Sequence, residues 1–429
     1  MPVLTYLTAL MVFQSAAPEG SPRPTSATGF SVMDYGAVPD GLADNTVAFQ
    51  KALDAAGKAG GGTVTAPAGR YSFSGTLTVP KEVTLSGAYT CVPSHAGVRD
   101  KSDERPEYGT TLLTHGGAGK EEGPAFITLQ SNSVLRGVCI YYPDQKPEGP
   151  VPAPYPYAVA MRGNNPAVID VELLNPYNGI DASQNQRALI RNVHGQPLHI
   201  GIFVDEIYDI GRIENVHWNP WWSMDKGLFQ WQMDNGVGFI FGKTDWHYVL
   251  NTFCYGYHVG YKFIKTKGGT TNGNFLGIGA DDCQTSLLVE DSAKCGILIT
   301  NGEFVSFNGP DPTMIRVEKT NTGSVRFSNC AFWGPCNRIA VVDGSGTVGF
   351  GDCTFTHWGH NKDERKLSAI EALGGSLLVR GCEFQEDKPQ VVLREGVERA
   401  IVSENLIRGA ERIVNESKGV VVVVNNAAK

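Results

Sequence analysis

Two strand repeats running out of phase, with a composition rich in glycine and poor in charge, predict an all-β chain wound as a single-stranded parallel β-helix of about ten to twelve coils with an N-terminal capping helix. Glycine supplies 51 of the 429 residues and charged side chains only 19%, which suits a turn-rich β protein better than a helical one. Hydrophobic residues at 41% and aromatics at 10% provide for a large core. A formal net charge of −8 argues against a nucleic-acid partner held by phosphate contacts. No apolar run is long enough to span a bilayer as a helix, so no membrane partner is expected.

At the N-terminus, Val3 to Phe13 form a short apolar run, Ser15-Ala16-Ala17 offers a small-residue cleavage site, and residues 18–28 are rich in Pro, Ser and Thr. This pattern predicts a signal peptide over 1–17, a linker over 18–28 and a secreted or periplasmic protein. A single β-helix domain over 29–429 follows. Asp44-Asn45-Thr46 opens a stretch with apolar Val47, Phe49, Ala52, Leu53 and Ala56 that runs out at glycine. That is an amphipathic helix over 44–57, placed to cover the first coil.

Strands ending in a polar residue then recur: FITLQ from Phe126, AVAMR from Ala158, GIDAS from Gly179 and GIFVD from Gly201. GFIFG, YKFIK, SLLVE, MIRVE, IAVVD and VVLRE continue the series, most steps being roughly 20–25 residues, one turn of a solenoid. A second series marks a bend between two strands: Asn192, Asn215, Asn251, Asn274, Asn301, Asn329, Asp352, Gly381 and Glu404. Asn tolerates left-handed backbone, and stacked amides can bond from coil to coil. After the bend, Cys330, Cys353 and Cys382 and then Phe304, Phe332, Phe355 and Phe384 fall at period two. Both sets therefore point inward and the intervening residue outward. Each coil reads as three strands, with no helical pattern between them. At the far end, the GVVVVV run from Gly419 must be buried or paired.

Between Val32 and Gly87 the chain carries MDYGAVPDG, the Asp44-to-Ala56 helix and a glycine-rich turn into TVTAPAGRY. This segment resembles the opening of the pectate-lyase-like superfamily of right-handed parallel β-helix proteins. The resemblance implies a right-handed winding. It leaves the activity open among polygalacturonases, other glycoside hydrolases, lyases, epimerases and phage tailspikes. Asp281-Asp282-Cys283 is similar to the Asp-Asp-Cys run of polygalacturonases, which implies acid/base carboxylates there. Asn251-Thr252-Phe253 in place of Asn-Thr-Asp, and the lack of Gly-His-Gly and Arg-Ile-Lys, keep that likeness distant.

The step from Asn215 to Asn251 is the longest of its series, and five of the seven tryptophans lie between Trp218 and Trp246. An aromatic insertion over 218–235 reads as a sugar platform, a subunit interface or a small core of its own. It joins the third strand of one coil to the first strand of the next, as do the turns at Tyr255–His258, Asp281-Asp282 and Trp333. Stacked at about 4.8 Å per coil, these turns are expected to wall a groove over the first-strand sheet. Outward positions on that sheet include Asp181, Asp205, Lys262, Glu290 and Arg316. The candidate catalytic residues are Asp205, Asp245, Asp281 and Asp282. The candidate substrate-binding residues are Trp221, Trp222, Trp231, Trp246, Tyr257, His258 and Lys262.

Two carboxylates a coil or two apart suit glycosidic-bond cleavage. The expectation is an exported glycoside hydrolase, or a related glycosyl-transferring enzyme, acting on a carbohydrate. Two alternatives stand. One is a lyase using Lys262, His258 or Tyr257 as base, often with calcium neutralising a uronate. The other is a non-catalytic glycan-binding or adhesin-like β-helix. A homotrimer along parallel helix axes accommodates any of these. His217, His247 and His258 lack a zincin pattern, and the nine cysteines fit no zinc or CxxC spacing. No metal or cofactor is expected.

Overall fold

The computed structural model describes residues 29–95, 108–360 and 366–429. The leader and linker predicted over 1–28 lie outside the described residues. The described chain is a right-handed parallel β-solenoid of about fifteen coils. One coil shows the plan: Val259–Phe263, then Gly273–Leu276, then Gly279–Asp281, before Thr285–Val289 opens the next. Each strand pairs in parallel with its counterpart one coil away, Tyr261 with Leu287, Asn274 with Leu298 and Gly279 with Glu303. Three sheets thus run the length of the molecule and enclose one core.

The coil count exceeds the ten to twelve expected. The first coils, through Thr110–Thr114, lack the polar-ended strand that marked the repeat. In the first of them a helix, α1 (Thr46–Lys58), stands where the first strand would be. Phe49, Ala52, Leu53 and Ala56 of α1 are buried against the coil end, with Phe49 edge-on to Tyr71 and Phe73. Val47, expected on that apolar face, is 63% exposed instead. Asn45 does not cap α1 through its side chain. Its amide ties the preceding loop to itself through Val38 and Ala43, while Asp44 accepts from the Thr46 N–H.

The bend between second and third strands is a single left-handed residue. Asn192, Asn215, Asn251, Asn301, Asn329, Asp352 and Glu404 all have φ between 50° and 60°. Asn274 is not a bend residue; it lies within Gly273–Leu276, and Gly277 at φ 63° turns that corner. The side chains form the expected ladder: Asn192 donates to Asp170 (2.8 Å), Asn215 to Asn192 (2.9 Å) and Asn329 to Asn301 (2.7 Å). Glycine interrupts it where the neighbouring carboxamide occupies the space. A Cβ on Gly277 would lie 2.8 Å from Asn251 Oδ1.

Inside, Phe304, Phe332, Phe355 and Phe384 stack at centroid spacings of 5.4, 5.4 and 4.8 Å. Cys330, Cys353 and Cys382 are buried beside them as free thiols. At the far end, Val420–Val424 pairs in parallel with 399–403, yet Val420, Val422 and Val424 stay exposed. Among the described residues no helix is long and apolar enough to cross a membrane.

The ladder is testable. Asn329→Ala should lower the unfolding free energy by about 2 kcal/mol, through left-handed strain and the lost amide bond. Asn329→Gly, which relieves the strain, should lose about 1 kcal/mol in the same urea titration.

Candidate active site

The insertion after 216–218 does not hang free. It crosses at Asn219–Asp225 and then forms a helix, α2 (Lys226–Asn235), capped by Asp225 accepting from the Gly227 N–H (3.0 Å). A helix at this connection departs from the expected plain loop. Buried Gln196 staples it: its amide oxygen accepts from the Trp222 and Ser223 N–H groups (2.9 Å each), and its amide nitrogen donates to Gln232 (3.1 Å). Gln232 in turn donates to the Gly256 carbonyl (3.0 Å). Trp222 is 2% exposed, packed with Leu113, Cys139, Tyr141, Leu174, Leu198 and Leu228 in a second small core. Of the three readings of the insertion, the small core holds for Trp222, and its assignment to substrate is corrected.

Other expectations need the same correction. Tyr257 is fully buried, its hydroxyl donating to Pro197 O (2.7 Å); burial pushes it far above the usual phenol range. Asp205 accepts from the Lys243 N–H (2.7 Å) and Thr266 Oγ1 (2.8 Å) and so closes a turn. Asp245 and the exposed Trp246 sit on the corner from first to second strand. Asp281 and Asp282 occupy the corner from third to first strand, across the five-residue width of the first-strand sheet, roughly 16 Å away. Lys262, midway between, is ion-paired with Glu290 (2.9 Å). Asp181 and Arg316 pair with Arg162 and Asp311. The first-strand sheet is therefore a face of mutually neutralised charges, and the groove expected over it does not assemble. His247 is buried at the opposite corner from His258, so the three histidines weighed for a metal do not meet.

A trough does form on the neighbouring third-strand sheet. Its floor is Gly277, Ile278, Gly279 and Ala280, its rim Phe253, Asp281, Glu303 and Trp333, around a hollow of about 350 Å³. A second hollow, about 710 Å³, lies farther along the same sheet between Thr356, Glu383, Gln385 and Arg408. Between them the two hollows span seven strands of this sheet, from 253–255 to 406–407, roughly 30 Å. Upstream it meets an aromatic row: Trp221 against His217 (4.9 Å between ring centroids) and His217 against Phe253 (4.9 Å). Burial, then the nearby His194, hold the His217 imidazole down to about 4, so it is neutral at pH 7. Trp231 instead contacts Tyr177 and His199, and half-buried His258 stands at the corner beside the Asp281-Asp282 turn.

The trough holds three carboxyls in unlike settings. Asp281 faces out of the sheet beside Tyr255, its register partner. Burial raises its pKa. Asp282, in left-handed backbone at φ 52°, is raised to about 6 by burial, against a hydrogen bond from Tyr255 and with the Asp281 charge adding to the rise. Tyr255, stacked on Phe229 of α2, is pushed to about 12, first by burial. Glu303 is exposed one coil on from Gly279, and Trp333 Nε1 donates to it (3.4 Å). Glu303 escaped the sequence reading, though the signal was present: it is the outward residue between inward Gly302 and Phe304.

Trp222→Ala should cost about 3–5 kcal/mol in urea unfolding, as expected for deleting a buried indole. Trp333→Ala, at a residue 43% exposed, should stay within about 0.5 kcal/mol of the parent.

Comparison with known proteins agrees with the winding. Residues 29–137 match the family described as rhamnogalacturonase A/epimerase, pectate lyase-like. A mannuronan C5-epimerase, AlgE3 of Azotobacter vinelandii, is 48% identical over 66 residues, 14% of this chain and 4% of that protein. Alginate lyase 7 of the same organism is 56% identical over 46 residues, 11% of this chain and 5% of its own length. The chain thus spans only a small fraction of the curated relatives it matches. Among solved structures, the catalytic unit of a GH87 alpha-1,3-glucanase from Streptomyces thermodiastaticus superposes with a TM-score of 0.54 at 16% identity, covering 87% of this chain and 71% of that one. An N-terminal fragment of bacteriophage Phi29 gene product 12 gives 0.57 at 13%, covering 91% and 71%. Coil geometry makes the chain a right-handed parallel β-helix, and its opening segment is similar to that of the pectate-lyase-like family.

Proposed function

We propose that the chain is an exported polysaccharide-active enzyme that hydrolyses glycosidic bonds in the third-strand trough, with Asp281 as general acid and Glu303 as base or nucleophile. The observation that carries this reading is the pair itself. Asp281 is a half-buried carboxyl whose pKa burial raises, and Glu303 is an exposed carboxyl one coil away. Their Cα atoms, one coil and two residues apart, are separated by about 8 Å, and the side chains can set their carboxyls within the spacings that glycosidases use. Asp281 gives its proton to the leaving oxygen while Glu303 activates water or attacks the anomeric carbon. Asp282 sits next door, its own carboxyl raised to about 6 by burial, with the Asp281 charge adding to the rise.

Trp333 and Phe253 flank the pair at heights suited to the C–H faces of sugar rings. Trp221, in line with Phe253 through His217, extends that platform upstream. The glycine floor lets a ring approach the backbone. The length of the trough suits a polymer, and the hollow at Asp281 has no Lys or Arg among its described lining residues. A neutral glycan therefore fits it better than a polyuronate. The similarity to mannuronan epimerases and to an alginate lyase favours a second reading, abstraction of a sugar C5 proton, but it spans only 66 and 46 residues. With Tyr255 pushed to about 12 and Tyr257 buried, neutral His217 would be the base.

Incubation with neutral glucans and galactans beside alginate tests this. New reducing ends without an unsaturated, ultraviolet-absorbing product support hydrolysis; an unsaturated product moves the chain to the lyases, and binding without turnover to the adhesins. Asp281→Asn and Glu303→Gln should each lower kcat by about 10²–10⁴-fold with the far-ultraviolet spectrum unchanged. Because the acid must be protonated, kcat/KM should fall as pH rises past the Asp281 pKa, which burial lifts above the ordinary carboxylate value.

A further inference from the structure

Upstream of Phe253 the same sheet continues its outward column. Cys139, Glu172, His194 and His217 occupy matching positions on four successive strands, Cys139 opposite Glu172, Glu172 opposite His194 and His194 opposite His217. Outward positions normally meet solvent. Here the Trp222 cluster covers Cys139, and Cys139 and Glu172 are both fully buried. His95, in irregular chain, reaches Glu172. Its N–H donates to Glu172 Oε1 (2.7 Å) and its Nδ1 contacts the other carboxylate oxygen. One ligand atom from each of His95, Cys139 and Glu172 lies within 4.8 Å of the others.

We propose that these three side chains bind a divalent transition-metal ion of the zinc class, which pins the segment at His95 to the third-strand sheet. Three observations converge on a cation. Glu172 is a carboxylate with 0% exposure whose sole ion-pair partner among the described residues is a histidine. A buried carboxylate without a cation is costly. The donor set is thiol, imidazole and carboxylate from two strands and one irregular segment, a mixture that suits zinc and does not suit calcium or magnesium. The next residue of the column, His194, has a buried Nδ1 with no hydrogen-bond partner and is the register partner of Glu172. The ligand is the thiolate, so binding releases the Cys139 proton to solvent. Sequence spacing could not show this site, because its members lie far apart in the chain and meet only through coil stacking and one returning segment. It lies three strands upstream of Phe253, roughly 15 Å along the helix axis, and is separate from the carboxyl pair.

The test uses the full chain, stripped with chelator and dialysed, then titrated with Zn²⁺ and with Co²⁺. One equivalent should bind. The Co²⁺ form should show a thiolate charge-transfer band, and X-ray absorption of the Zn²⁺ form should show one sulfur at about 2.3 Å with nitrogen or oxygen ligands. Cys139→Ser and Glu172→Gln should each weaken binding at least tenfold, while Cys91→Ser, at an exposed thiol, should leave it unchanged. Absence of binding, a metal shell without sulfur, or a band lost in Cys91→Ser and kept in Cys139→Ser would overturn the proposal. The wild-type spectra decide even if a variant fails to fold.

Discussion

The structure rests on the parallel ladder that joins each coil to the next at about 4.8 Å. Because every strand pairs with its counterpart one turn on, residues 22 to 31 positions apart in sequence, such as Asn215 with Asn192 or Cys330 with Ile299, become neighbours. Inward, that register stacks phenylalanine on phenylalanine and thiol beside thiol. At the corners it stacks carboxamides. Outward, it sets side chains from separate coils into fixed columns, so chemistry requires only that suitable residues recur at one phase of the repeat.

The same register explains which face is free to act. On the first-strand sheet the charges are paired, Arg162 with Asp181, Lys262 with Glu290 and Arg316 with Asp311. On the third-strand sheet the columns hold carboxyls without cations in the hollow at Asp281, small floor residues and exposed indole. Burial there raises Asp281 and Asp282, the direction a proton donor needs, while the partner on the next coil stays in water. The tryptophan-rich insertion contributes by position. Trp222 and Gln196 anchor it, and it presents Phe229 to Tyr255 and Trp221 to His217, which stiffens the upstream end of the trough.

Much of the winding was legible because its signals are local. Glycine content, the period-two pattern after each bend and the amphipathic Asp44-to-Ala56 stretch each report a backbone requirement near in sequence. Asn274 misled because an asparagine lies within a few residues of the true corner at Gly277. Of the site, Asp281 and the role of the turns around it could be read, since they sit where third strand meets first. Which sheet the hollow faces could not. That depends on which outward charges find partners, and the pairing of Lys262 with Glu290 or Asp205 with Thr266 is settled between coils. Counting tryptophans located the insertion correctly and said nothing of which indole faces inward.

The most direct measurement is a crystal structure of Asp281→Asn with a bound neutral oligosaccharide. A sugar chain running along the third-strand sheet, one ring over Gly279 between Phe253 and Trp333 and a glycosidic oxygen within hydrogen-bonding reach of residue 281, is the result predicted. A chain lying instead over the first-strand sheet, across Lys262 and Glu290, would contradict it.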